Sequence, residues 1–148
     1  MIISIGSDHS ALNLKNVLCD YLKNKGYTII DRGTYTIESC DYTDFGYQVA
    51  KDVQTKTADR GIVICTTGIG MSIIANKVKH VRCALVSNAD AAMLTRLHND
   101  SNCLALGAKY TSIDEAKEIV DIWLSTEFSM NERHQRRITK ITHFEEEE

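Results

Sequence analysis

The sequence predicts a doubly wound α/β fold: a five-stranded parallel sheet with helices on both faces, plus a helix at the C-terminal end. Two observations carry that reading. Short apolar runs alternate with amphipathic stretches from one end of the chain to the other, the signature of strand–helix–strand units. The candidate strands are near-continuously apolar, as strands covered on both faces are, with none of the in–out alternation of a half-exposed sheet. The expected strand order is 2-1-3-4-5, and the 148 residues are read as one domain, 1–148.

The elements follow in order. Ile2 to Ile5 is the first strand. Leu14, Val17, Leu18, Tyr21 and Leu22 form an i, i+3, i+4, i+7, i+8 stripe, and Gly26 stands where a helix C-cap belongs. Thr28 to Ile30 is the second strand, and Gly61 to Cys65 the third. A glycine-spaced loop follows at once in "VICTTGIGMSIIANK", and then a helix. Cys83 to Val86 is the fourth strand. A short helix is expected before "RLHNDSN", which reads as a polar loop near the sheet's rim. Cys103 to Leu106 is the fifth strand. Ser112 and Glu115 have capping-box spacing ahead of the stripe Ala116, Ile119, Val120, Trp123 and Leu124. The tail begins basic, "ERHQRRITKI", and closes on "EEEE", read as a solvated end.

Composition narrows the function classes. The net charge of −3 gives no overall attraction to nucleic acid or to an anionic membrane. No leader and no membrane-length apolar run is read in the chain. The cysteines, Cys19, Cys40, Cys65, Cys83 and Cys103, are odd in number and contain no CxxC pair. That fits neither a disulfide framework nor a zinc knuckle. It fits free thiols in a reducing cytoplasm.

In doubly wound sheets ligands bind beyond the carboxyl ends of the strands. Those ends carry "GSDHS" with Asp8 and His9, "CTTGIGMS", "VSNAD", and "GAKY" with Lys109. A cysteine, a carboxylate, a histidine and a lysine therefore share one rim. The Gly68-x-Gly70 loop can cradle an anion with backbone N–H groups, or it can simply turn strand into helix. It is not a P-loop, because Met71 follows Gly70 where lysine is required, and "GSDHSA" lacks the glycines of a dinucleotide fingerprint. Cys65 is either a packed strand residue or a thiol at a helix-start loop, where the positive end of the dipole favours a thiolate. Arg133 and Arg137, four apart on one helical face, suit a phosphate monoester or a solvated basic surface.

Together these segments resemble the type B ribose-5-phosphate isomerases, a family shared with the galactose-6-phosphate isomerase subunits. The resemblance rests on "IGSDHS", "DRGTYTIESCDYTDFG", "GIVICTTGIGMSIIANK", "RLHNDSNCLALGAK" and "RHQRRITKI", five pieces in order over nearly the whole chain. It implies an aldose–ketose isomerase acting through an enediolate in the non-oxidative pentose phosphate pathway. In the family's cysteine branch Cys65 is the catalytic base, His98 opens the furanose ring, and Thr67 shuttles protons between oxygens. The amides of Thr66, Thr67, Gly68, Ile69 and Gly70 hold the oxyanion. Asp8 and Asn99 bind sugar hydroxyls, and His9, Arg133, Arg137 and Lys109 hold the phosphate. No metal or cofactor is implied. The implied assembly is a homodimer, or a dimer of dimers, with the site shared between subunits.

Departures from the family pattern are Thr43 for proline, Thr66 for glycine, Lys109 for arginine and "SMNE" for "EGG". The alternatives are a galactose-6-phosphate or allose-6-phosphate isomerase and a non-catalytic sugar-phosphate-binding module. Galactose enzymes usually divide the functional residues between two different subunits, whereas Cys65, His98 and both arginines occur here in one chain.

Overall fold

A computed structural model describes residues 1–147. Five strands, β1 (Ile2–Ser7), β2 (Thr28–Asp31), β3 (Arg60–Cys65), β4 (Cys83–Leu85) and β5 (Cys103–Gly107), form one parallel sheet. Its order is β2-β1-β3-β5-β4, not the expected 2-1-3-4-5. The chain leaves β3, passes over the place later filled by β5 and builds β4 at the edge. β4 is accordingly short and half-exposed, whereas all five residues of β5 are buried. Hydrophobic periodicity identifies a strand but carries no information about which neighbour it takes.

Side-chain alternation along the strands divides the core in two. Ile3, Ile5, Ile62, Ile64, Leu104 and Leu106 face α1 (Leu12–Asn24), α4 (Ala89–Asn99) and α5 (Ile113–Ser125). Val63, Cys65, Cys103 and Ala105 face α2 (Tyr42–Gln54) and α3 (Ile69–Ala75). The predicted stripes are the buried faces of α1 and α5: Leu14, Leu18 and Leu22 on one, Ala116, Ile119, Val120, Trp123 and Leu124 on the other. The Ser112–Glu115 capping box forms in both directions. Gly26, at φ 98°, ends α1 in the left-handed conformation a β-carbon disfavours.

Trp123 is fully buried behind this first face. Its indole N–H donates to Ser101 Oγ at 2.9 Å, and the Arg60 guanidinium lies 5.1 Å from the ring centroid. Burial, reinforced by the nearby Arg96 charge, pulls the Arg60 guanidinium down to about 10.

The C-terminal helix α6 runs Glu132–Glu146, so the acidic end is not wholly a solvated tail. Glu145 folds back to accept from the His80 N–H, at 3.1 Å for the nearer oxygen. Glu148 lies outside the described residues. No helix among those described is long and apolar enough to cross a membrane.

Candidate active site

The strand order reverses between β1 and β3: the chain goes from β1 to β2 on one side and from β3 to the rest of the sheet on the other. That is the switch point where a crevice opens beyond the carboxyl ends. The loops that leave β1 and β3 meet there. Thr66 Oγ1 donates to Ser10 Oγ at 2.7 Å, and Ser10 Oγ donates to Asp8 Oδ1 at 2.6 Å. Asp8 is buried and also accepts from the Ser10 N–H at 3.1 Å. One of its oxygens is thus fixed by the protein.

Cys65 closes β3 with 6% of its surface exposed, packed against the second core face. Its Sγ accepts from the Gly68 N–H at 3.2 Å. The thiol is packed, as a strand residue is, and its sulfur also meets a backbone donor. The other thiols differ. Burial pushes Cys19 up to about 11, and Cys83 is raised well above the usual thiol range by its hydrogen bond with Cys103 and by burial. These are packing residues.

The loop 66–68 lies directly on β5. A β-carbon on Gly107 would stand 2.5 Å from the Thr67 carbonyl oxygen, so only glycine permits this approach. Gly68 takes φ 78° as the residue that turns strand into helix. Thr66 is not among the residues with positive φ, and its departure from glycine leaves the backbone unstrained. Thr43 is equally harmless, because it occupies the first turn of α2, where proline and threonine are both tolerated. Two of the loop amides already have acceptors: Gly68 N–H serves Cys65, and Ile69 N–H donates to Thr67 Oγ1 at 3.2 Å. An oxyanion bound by either must displace that internal partner. A cavity of about 550 Å³ opens beside the loop, lined by Thr67, Ile69, Leu85, Gly107 and Tyr110.

His9 follows Asp8, and its Nδ1 accepts from the Cys40 N–H at 3.3 Å. The proton of the neutral ring then sits on Nε2, which is left as a donor. Lys109 is exposed just past β5, its own N–H donating to the Thr66 carbonyl at 2.9 Å. Asp8, His9, Cys65, the Thr66–Gly70 loop and Lys109 therefore share the carboxyl rim.

His98, Asn99, Arg133 and Arg137 do not join them within one chain. His98 and Asn99 form the last turn of α4, not a rim loop, and α4 has by then descended to the amino edge of the sheet. Arg82, the residue before β4, clamps that turn: its Nε donates to the Asn99 carbonyl at 3.0 Å and its Nη2 to the Asp100 carbonyl at 2.9 Å. Asn131 caps α6 by accepting from the Arg133 N–H at 3.0 Å, after Met130 makes the turn at φ 59° without glycine. Arg136 is taken by Glu132, while Arg133 and Arg137 are exposed. A groove of about 700 Å³ runs along this edge past Asn99, Arg82, Thr95, Ile141 and Phe144.

Sequence reasoning missed the supporting residues: Ser10 under Asp8, Cys40 on His9, and Arg82 and His134 around His98. Only His134 had a visible signal, its place between two candidate phosphate-binding arginines.

The comparisons with known proteins agree with this architecture. A family model described as Ribose/Galactose Isomerase matches residues 3–141. Ribose-5-phosphate isomerase B of Escherichia coli (strain K12) is 40% identical over 144 residues, covering 97% of this chain and 96% of its own length. A structure of the Clostridium thermocellum ribose-5-phosphate isomerase B is 50% identical, with a TM-score of 0.97 over 99% of each chain. The Mycoplasma genitalium enzyme, solved with bound ribulose-5-phosphate, is 40% identical with a TM-score of 0.96, over 99% of this chain and 97% of that one. The chain belongs to the ribose/galactose isomerase family. Within that family, these three relatives are all ribose-5-phosphate isomerases of type B.

Proposed function

We propose that this protein interconverts D-ribose 5-phosphate and D-ribulose 5-phosphate as a homodimer whose sites draw on both subunits. The observation that carries the reading is Cys65 at the switch point, its sulfur 3.2 Å from the Gly68 N–H in a loop seated on Gly107. A weakly acidic C–H next to a carbonyl needs a base and a place for the charge left on oxygen. Cys65 removes the proton from C2 of the open-chain aldose and returns it to C1. The loop amides hold the enediolate oxygen, and Thr67 moves a proton between O1 and O2. Asp8 and Asn99 bind hydroxyls. His98 protonates the ring oxygen as the furanose opens and takes the proton from the anomeric hydroxyl.

The dimer follows from the division of residues between the two sheet edges. β5 is five residues long, which sets the edges about 16 Å apart, farther than a five-carbon sugar phosphate reaches. A second copy brings its amino-edge residues to the first copy's rim. Exposed apolar side chains at Ile69, Ile73, Leu85 and Met93 are the kind of surface such a contact covers.

Turnover of ribose 5-phosphate and allose 6-phosphate by the purified protein tests the substrate. Ribose 5-phosphate is expected to be the better substrate by kcat/KM. No formation of ribulose 5-phosphate would reject the activity, and a preference for the hexose would move the assignment to the allose enzyme.

The phosphate site makes a separate prediction. Arg137→Ala removes a charge-assisted donor worth about 1.5–3 kcal/mol, so KM rises roughly ten- to hundredfold with kcat less affected. Inorganic phosphate, competing for the same donors, weakens as an inhibitor in parallel. Unchanged KM and unchanged phosphate inhibition would leave "RHQRR" a solvated face.

A further inference from the structure

The C-terminal helix rests on the domain through an unusual residue. Among its described residues only His134 is buried, and it lies between the exposed Arg133 and Arg137. The His134 and His98 ring centroids are 4.6 Å apart, with the planes tilted 43°. His98 is exposed, so one side of its ring faces outward while His134 backs the other. His134 is itself fixed. Its Nδ1 lies 2.8 Å from Ser129 Oγ, and that hydroxyl also accepts from the Asn131 N–H at 3.2 Å. Ser129 is anchored in turn, its N–H directed at the Leu97 carbonyl at 3.4 Å.

We propose that His134 is a positioning residue for His98: its ring, held by Ser129, backs the His98 imidazole and sets the orientation in which His98 exchanges a proton with the sugar. The inference rests on the proposed role of His98 in ring opening. The groups facing His134 are His98 and the Leu97 carbonyl from α4, Ser129 from the preceding loop, and Arg133 and Arg137 from α6. Burial first, then the charges of His98, Arg133 and Arg137, hold His134 below the ordinary histidine range, with a backbone hydrogen bond to Leu97 opposing. The contact between the two rings also ties the ring-opening group to the helix that carries both arginines.

The test is a double-mutant cycle on ribose 5-phosphate turnover with His98→Asn, His134→Gln and the double variant, and His134→Phe alongside. His134→Gln keeps a polar group for Ser129 but removes the ring. It is expected to lower kcat about ten- to hundredfold, the scale of a misplaced catalytic group. In the His98→Asn background the same change is expected to add little. His134→Phe gives up the Ser129 bond but keeps a buried ring against His98, and is expected to retain most of the wild-type kcat because packing still holds that ring in place. Equal losses from His134→Gln in both backgrounds, wild-type kcat in that variant, or a His134→Phe variant as impaired as His134→Gln would each overturn the positioning role. Wild-type kcat in His98→Asn alone would instead remove the role of His98 beneath it. A thermal melt of each variant separates undocking of α6 from loss of orientation, and a His134→Phe variant that melts like wild type keeps the comparison valid.

Discussion

Cys65→Ala is expected to lower kcat by about 10²–10⁴-fold while the KM for ribose 5-phosphate changes little. A general base acts in the transition state, and its removal leaves the groups that bind the substrate in place. The structure supports the separation. The thiol closes a central strand; alanine removes the Gly68 N–H contact to sulfur but leaves the backbone approach of the loop to Gly107. The change removes one sulfur from a packed site, so a small loss of stability accompanies it without loss of fold. Steady-state kinetics together with substrate binding to the variant measure the two effects apart. A variant with more than about a tenth of wild-type kcat would end the assignment of Cys65 as base.

Mixing two inactive variants is expected to restore activity. Cys65→Ala and His98→Asn each spoil both sites of a homodimer built from one kind of chain. In a hybrid, one site receives both lesions and the other receives none. Free exchange at equal concentrations makes about half the dimers hybrid, so about a quarter of wild-type activity returns. The expectation rests on Cys65 at the carboxyl rim and His98 at the end of α4, on opposite edges of one sheet. A site assembled within a single chain gives no recovery on mixing. The outcome therefore decides between a shared and a self-contained site, whatever the rates of the parents.

Much of this arrangement is legible in the amino-acid sequence, and what is not has physical causes. The five strands are visible because buried parallel strands are apolar throughout, and α1 and α5 because each turns one stripe to the core. The rim residues Asp8, His9, Cys65 and Lys109 are legible because each ends a strand or lies within two residues of its end. The place of β5 between β3 and β4 is not, since strand pairing is settled by how the crossovers pack, not by the strand's own pattern. His98 and Asn99 lie in a run of polar, turn-prone residues and read as a loop. Arg82 and Arg96 override that local preference by engaging the backbone of residues 99 to 101, which holds the helix through Asn99. The backbone donor to His9 comes from a position whose side chain gives no hint of the role, Cys40, whereas the glycine-spaced loop does mark the Gly68 N–H that serves Cys65.

The one tryptophan of the chain has a practical consequence. Trp123 is sealed behind β5 and α4, with its N–H bonded to Ser101 and the Arg60 cation over its ring. Ultraviolet emission excited near the red edge of protein absorption therefore comes from a single dry location. Opening of the hydrophobic face shifts that emission to longer wavelength as water reaches the indole. The carboxyl rim contributes nothing to the signal. If the proposed dimer shares its sites, diluting the protein until subunits part extinguishes turnover while the emission stays blue, whereas denaturant moves both. Fluorescence and activity, followed side by side, distinguish disassembly from unfolding without any added label.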